Sequence, residues 1–223
     1  MISNILGIKK GITSIIGSGG KTTLMCALAN ELSKNGRVII CTTTKIFRPE
    51  RIMTFEELPR QDSEKIFFEN NPICVGTFIE CGKISIPRVD LEKLAEIADY
   101  IICESDGAKG MPLKAHSQYE PLIHRKSVDI LGVLGIDGIG GRIIDVCHRP
   151  ELYAKMLKTS VFDRIRPEMA ARIIKEENLC KTLIINQVEN SEKLESAKRI
   201  ASCLDMPVFA GELRKGELTC LHL

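Results

Sequence analysis

The sequence predicts an α/β fold in which a mostly parallel sheet is wound with helices on both faces. Two observations support this prediction: short β-branched runs alternate with helical patterns, and the first run leads through a glycine-rich turn into a helix. At 223 residues the chain is long enough for one core and short for two ordinary domains, so we expect a single domain over 1–223. The runs expected to be strands cover residues 11–16, 37–43, 100–104, 128–134, 182–186 and 207–210.

Three helices are predicted from the spacing of apolar residues. The first follows the glycine-rich turn and stops at Asn35-Gly36. A second begins with Pro167 in its first turn, and a third follows Ser191. The apolar stripe of the first helix is Leu24, Met25, Leu28 and Leu32.

Residues 45–90 interrupt the alternation of strands and helices. Residues 45–71 are polar, hold two prolines and show a short helical stretch at 63–68, so we expect a flap or partner-binding loop. Between Pro72 and Pro87, two extended runs flank Cys81-Gly82, a pair compatible with a tight turn. This pattern predicts a β-hairpin inserted at the sheet edge.

Composition argues against several classes of protein. Lys plus Arg number 31 and Asp plus Glu 29, for a net charge of +2, so a dedicated nucleic-acid binder is not expected. Every apolar run is interrupted before the roughly 18 to 20 residues of a membrane span, and the N-terminus lacks the pattern of a secretory signal. Nine cysteines without a CxxC pair are typical of reduced, buried thiols. We therefore expect a cytoplasmic protein that binds no membrane.

The strongest functional signal is the stretch ITSIIGSGGKTTL at residues 12–24, a strand, a glycine-rich turn and the start of a helix. Glycines let backbone N–H groups surround phosphates, and the helix N-terminus adds its positive dipole end. Lys21 would reach the β- and γ-phosphates as a catalytic charge, and the Thr22 hydroxyl would ligate Mg²⁺. The expected phosphate-binding residues are Gly17, Ser18, Gly19, Gly20, Lys21, Thr22 and Thr23.

The spacing of this loop departs from the usual GxxxxGK[ST] pattern, because Ile15 stands six positions before the lysine. The shorter Gly-Ser-Gly-Gly-Lys-Thr-Thr form resembles the phosphate loop of the Mur ligases, which implies that the loop binds ATP.

Polar residues at the other strand ends complete a predicted nucleotide site, because ligands bind beyond the carboxyl ends of parallel strands. Glu104 closes an apolar strand and would hold Mg²⁺ through water, while Gly107 would offer its N–H to the γ-phosphate. Asp106 either orients a nucleophilic water or stabilises the turn before Gly107. Thr43, in the Thr42-Thr43-Thr44 strand end, either completes the magnesium shell or binds substrate, or it reflects the preference of threonine for strands.

The strand at 182–186 ends in Asn186-Gln187-Val188-Glu189, which resembles the guanine-reading NKxD motif with two of its fixed positions changed. Asn186 and Glu189 are therefore weak candidates for base binding. Because Glu189 replaces the aspartate and Gln187 the lysine, the sequence leaves ATP and GTP open.

Two further segments carry cationic candidates for binding a substrate or transferred phosphate. Lys109, Lys114 and His116 follow the Glu104 strand, and His148 and Arg149 precede a helix that begins at Pro150. The alternatives are a solvated basic loop for the first segment and helix capping for the second. Cys147-His148 has no partner at the spacing of metal ligands, so a zinc site is not expected.

Taken together and in order, these motifs resemble the YqeC family, the accessory proteins of selenium-dependent molybdenum hydroxylases. The match runs from about Gly11 to Asn190, and ESDGAKGMPLKAH is its most specific part. The resemblance implies a P-loop NTPase fold and a role in maturing the selenium and molybdenum centre of such a hydroxylase, with that enzyme or its cofactor as partner.

Three functions are consistent with the motifs. The first is a Mg²⁺-dependent, NTP-hydrolysing maturation factor. The second is a small-molecule kinase or ATP-dependent ligase, which the Mur-like loop and the cationic segment favour. The third is a nucleotide-sensing interaction module without turnover.

Overall fold

The computed structural model describes residues 1–223, apart from the side chain of residue 60. The chain divides into two compact units. The first contains residues 1–15, 22–107 and 122–129, and the second contains residues 16–21, 108–121 and 130–223.

Strands and helices alternate through most of the chain. The strands are β1 (Gly11–Gly17), β2 (Val38–Thr42), β3 (Ile46–Phe47), β4 (Met53–Phe55), β5 (Ile73–Val75), β6 (Thr77–Ile79), β7 (Lys83–Ser85), β8 (Tyr100–Glu104), β9 (Leu113–Lys114), β10 (Ser127–Gly135), β11 (Cys147–His148), β12 (Thr182–Asn186), β13 (Val208–Glu212) and β14 (Glu217–His222). The helices are α1 (Ile2–Ile5), α2 (Lys21–Leu32), α3 (Ser63–Asn70), α4 (Leu91–Leu94), α5 (Ile143–Val146), α6 (Pro150–Leu157), α7 (Pro167–Glu177) and α8 (Ser191–Ala201).

The first unit contains parallel strands in the order β4, β5, β2, β8, β1. Strand β8 lies between β1 and β2, and its last residue, Glu104, is in register with Ile15 on one side and Thr42 on the other. Both faces of β2 and β8 are buried, as expected for continuous apolar runs in a parallel sheet. This register brings the ends of three strands to one edge.

The second unit contains β10, β12 and β13 in parallel, followed by the antiparallel strand β14. Helix α7 packs against α6 and α8 over a core of small and branched side chains. A separate two-stranded ladder pairs β9 with β11. The predicted α/β class with a mostly parallel sheet and flanking helices is confirmed.

All six predicted strands and all three predicted helices are present, with small shifts at their ends. The predicted hairpin is β6 and β7, but it does not extend the main sheet edge, because β7 pairs instead with β3 in a separate three-stranded sheet. Residues 45–71, expected to be a flap or loop with a short helical stretch at 63–68, contain that helix as α3. They also contain the short strands β3 and β4, and β4 pairs with β5. The single domain over 1–223 stays a prediction.

All nine cysteines are free thiols, and five of them are buried. Throughout the described residues, no helix combines the length and apolar character needed to cross a bilayer.

Candidate phosphate-binding site

The glycines of the loop lie where side chains cannot fit. Gly17, Gly19 and Gly20 have φ angles of +96°, +77° and +139°, which favour glycine. A Cβ atom at Gly17 would overlap the carbonyl of Val133, and one at Gly19 would overlap the backbone of Gly135. The loop backbone therefore packs directly on the end of β10, which is a reason for these glycines that applies before any ligand binds.

Two loop side chains anchor the loop to the protein. Ser18 is 2% exposed, and its hydroxyl donates to the Pro112 carbonyl at 2.9 Å while its N–H donates to the Val133 carbonyl at 2.8 Å. Lys21 is 5% exposed, and its Nζ donates to the Gly17 carbonyl at 2.7 Å. Both hydrogen-bond donors of Ser18 are thus used in bonds to the protein. The ammonium of Lys21 is bonded to the backbone of its own loop.

In the first unit, Thr22 and Glu104 are joined by a hydrogen bond. The Thr22 hydroxyl donates to Glu104 Oε2 at 2.7 Å, and Glu104 is 5% exposed. The Glu104 carbonyl also accepts from the Thr42 hydroxyl and the Thr43 N–H, both at 3.0 Å. The hydroxyl that follows the loop and the carboxylate at the strand end are therefore in direct contact, at the edge where β1, β2 and β8 end.

Thr43 adds a buried hydroxyl to this edge. Its Oγ1 finds no hydrogen-bond partner among the described residues. Hydroxyl and carboxylate oxygens are the donors that Mg²⁺ prefers, so the chemistry of Thr22, Thr43 and Glu104 suits that ion. Clusters of three or more His, Cys, Asp and Glu side chains placed to hold a metal are absent from the part of the chain that the structure describes.

Asp106 lies in a buried turn after β8. Asp106 is 1% exposed. The backbone of the preceding residue, Ser105, is fixed by two hydrogen bonds of 2.9 Å: its N–H donates to the Ile15 carbonyl, and its carbonyl accepts from the Leu122 N–H. At Gly107, an added Cβ would make ordinary contact with the Thr44 hydroxyl at 3.5 Å. Asp106 is thus a buried carboxylate two residues beyond Glu104.

Asn186 has a role that sequence reasoning missed. Its Nδ2 donates to the Gly19 carbonyl at 2.8 Å, and its Oδ1 accepts from the Leu213 N–H at 3.0 Å. In this structure the amide joins the glycine-rich loop to the segment after β13 and is not presented for base reading. No local sequence pattern indicates such a bond, because its residues are far apart along the chain.

The other two polar residues of the predicted base-reading segment, Gln187 and Glu189, lie in different environments. Gln187 has a φ of +69°, and its buried Oε1 is without a hydrogen-bond partner in the described chain. Glu189 is half-exposed and pairs with Lys193, whose Nζ lies 3.0 Å from Glu189 Oε2 and 2.6 Å from an oxygen of Asp137. Glu189 therefore takes part in a surface ion-pair network.

Three of the predicted cationic residues are paired with one or the other of two carboxylates, Glu177 and Glu120. His116 is held by Glu177, whose carboxylate accepts from the His116 N–H at 2.6 Å and lies 2.7 Å from the ring Nδ1. Lys114 lies with Arg149 beside another carboxylate, Glu120, at 2.8 Å from Lys114 Nζ. Burial would raise the pKa of Glu120, but hydrogen bonds from Arg149 and Lys114 outweigh it and hold the pKa below its usual value.

Comparison with known proteins identifies relatives of the chain. The family described as YqeC protein matches residues 13–151. A protein of Escherichia coli (strain K12), named Uncharacterized protein YqeC, is 32% identical over 147 residues, which are 62% of this chain and 57% of that protein. The match thus spans little more than half of the relative. The range 13–151 includes the glycine loop, Glu104 and both cationic segments, whereas Asn186 and Glu189 lie outside it.

Proposed function

The chain belongs to the YqeC family, and we propose that it binds and hydrolyses a nucleoside triphosphate with Mg²⁺, as an accessory factor in maturing a selenium-dependent molybdenum hydroxylase. The proposal of the hydroxylase or its cofactor as partner rests on the family resemblance. The nucleotide chemistry is argued from the residues below.

The bond between Thr22 and Glu104 carries the proposal. A threonine directly after the loop lysine and a carboxylate closing the neighbouring strand are the two groups that a P-loop protein directs at Mg²⁺. The Thr22 hydroxyl lies 2.7 Å from Glu104 Oε2, so the two groups are close enough to serve the same ion.

The Mg²⁺ ion would be held by the Thr22 hydroxyl and, through water, by Glu104, with Thr43 as a further oxygen donor. Bound there, the ion would neutralise charge on the phosphate oxygens. The buried Thr43 hydroxyl supports this assignment, because a buried hydroxyl that lacks a partner in the described chain costs free energy that a ligand would recover.

Phosphate binding would use the loop backbone and Lys21. The ammonium of Lys21 would exchange the Gly17 carbonyl, now 2.7 Å away, for phosphate oxygens, which are stronger acceptors because they are charged. Gly107 would offer its N–H, and Asp106 would orient the attacking water or accept its proton.

Lys21→Ala tests the proposal in the full-length protein. We expect calorimetry with Mg²⁺ to show tight ATP or GTP binding by the unchanged chain and its loss in the variant. Lys34→Ala, which removes an exposed charge just beyond α2, is the matched control and should bind normally. Thermal unfolding reports whether the variants fold, and unchanged affinity in a folded Lys21→Ala protein would overturn the assignment.

A second candidate function is a small-molecule kinase or ATP-dependent ligase. The basic side chains beside Glu120 favour it, because an acceptor with an anionic group needs such a site. Product analysis separates the possibilities: inorganic phosphate alone indicates hydrolysis, a modified metabolite indicates transfer, and tight binding without turnover indicates a nucleotide sensor.

A further inference from the structure

The positive charges of Lys109, Lys114 and Arg149 act on His148 in the second unit, and we refer to these four residues as the cationic cluster. Strands β9 and β11 pair in parallel, with Lys114 in register with His148. Arg149 follows directly and takes a left-handed backbone conformation at the start of α6, with a φ of +63°.

The electrostatic field at His148 is positive. Burial lowers the pKa of His148, and the charges of Arg149, Lys114 and Lys109 lower it further against the single opposing carboxylate, Glu120. These effects favour the neutral form of the imidazole over the charged form. An anion at this point would relieve repulsion among the cations.

His148 also presents a polar atom that suits a ligand. Its Nδ1 is buried and lacks a hydrogen-bond partner among the residues that the structure describes. A neutral imidazole can carry its proton on Nδ1 and donate it, and the guanidinium of Arg149 has five N–H donors, of which the Glu120 bond uses one. Together they could coordinate several oxygens of one oxyanion.

The cluster lies close in space to the glycine-rich loop within the second unit. The Pro112 carbonyl accepts from the Ser18 hydroxyl at 2.9 Å and from the Gly135 N–H at 3.0 Å, and Lys114 is two residues further on, in β9. Two residues of extended chain span about 7 Å. A group bound at the cluster would thus be near a triphosphate in the loop.

We propose that the cationic cluster binds the phosphate group of a second ligand, distinct from the nucleotide in the loop. The assignment of this ligand as the acceptor or product of the nucleotide reaction rests on the proposed function, whereas the phosphate site itself does not. Phosphate suits the cluster better than a carboxylate does, because a dianion with several acceptor oxygens can engage two cations and the imidazole at once.

The test follows the His148 ring by NMR in the full-length protein, with inorganic phosphate and glycerol 3-phosphate as probes and chloride at matched ionic strength as reference. Both the ring shifts and a rise in the pKa of His148 should saturate with the probe. Tighter binding of glycerol 3-phosphate indicates an esterified ligand, and tighter binding of inorganic phosphate indicates the released product. No change beyond the chloride reference overturns the proposal.

Three substitutions locate the binding. Arg149→Gln and Lys109→Gln should each weaken phosphate binding by about tenfold, because each removes a positive charge that acts at His148. Lys155→Gln on the exposed face of α6 should leave it unchanged. Lys109 is exposed, so its variant decides the matter if Arg149→Gln fails to fold. Equal binding in Lys109→Gln and Lys155→Gln would overturn the proposal.

Lys21→Ala separates this inference from the proposed function. If the folded variant loses nucleotide binding but keeps the His148 response, the two sites are distinct, as proposed. If the unchanged protein binds no nucleotide but its His148 still responds, the proposed function fails and the phosphate site stands. If the folded variant loses the His148 response, phosphate binds in the loop and the inference fails.

Discussion

The hydroxyl of Thr22 donates to Glu104 Oε2 although the two residues are 82 positions apart in the chain. Thr22 is placed by the start of α2, and Glu104 by the register of β8 with β1 and β2. Because both side chains are held by regular secondary structure, their separation is set by the fold and not by a flexible loop.

Replacing Glu104 by Gln should preserve the fold and impair metal-dependent turnover. The amide can still accept a hydrogen bond from Thr22, but it loses the charge that would hold the water shell of Mg²⁺. We expect turnover to fall by about 10- to 100-fold, with much less change in metal-free nucleotide binding. Steady-state rates over a range of Mg²⁺ concentrations measure this effect. An unchanged Mg²⁺ dependence would mean that Glu104 closes strand β8 without binding the metal.

Asn186→Ala should loosen the glycine-rich loop. The change removes both bonds of the amide, to the Gly19 carbonyl and from the Leu213 N–H, and leaves buried backbone groups to be satisfied otherwise. We expect the free energy of unfolding to fall by about 1–3 kcal/mol, together with weaker triphosphate binding. Urea unfolding and calorimetry measure the two effects. Glu192→Gln, at an exposed position in the first turn of α8, is the control and should change neither.

Discrimination between ATP and GTP should be weak. The Asn186 amide is bonded to Gly19 and Leu213, and the Glu189 carboxylate pairs with Lys193, so the side chains resembling a guanine reader have other partners. We expect the two affinities to differ by less than about tenfold, or about 1.4 kcal/mol. Competition titrations decide it, and a preference for GTP of about a thousandfold would mean that these side chains rearrange to read guanine.

The thiol of Cys26 should report Mg²⁺ binding. Burial and, to a smaller extent, the negative charge of Glu104 together raise its pKa to about 11. A cation beside Glu104 would offset that charge, lower the pKa and increase the thiolate fraction, which is the form that alkylates. We expect Mg²⁺ to speed iodoacetamide labelling of Cys26 at pH 8, followed by peptide mass spectrometry. Exposed Cys203 is the internal reference, and equal acceleration at both thiols would contradict the site.

The parts of the fold that could be predicted are those encoded locally. Strands such as β8 are continuous apolar runs, and the turn at Gly17–Lys21 is marked by its own glycines. Strands of two residues, such as β9 and β11, are too short to show a period, so their pairing and the meeting of Lys114 with His148 could not be foreseen. The sequence predicted neither the burial of Lys21 nor the bond from Asn186 to the loop, because both depend on tertiary contacts.

The antiparallel strand β14 has a consequence for the solubility of shortened chains. It pairs with β13, whose residues Val208, Phe209 and Ala210 are buried. A chain ending at Gly216 would lack this cover and expose the backbone donors and acceptors of an apolar strand, which is a template for pairing with other copies. Strand β14, whose residues are mostly exposed, therefore protects the protein from aggregation by occupying the hydrogen-bonding edge of β13.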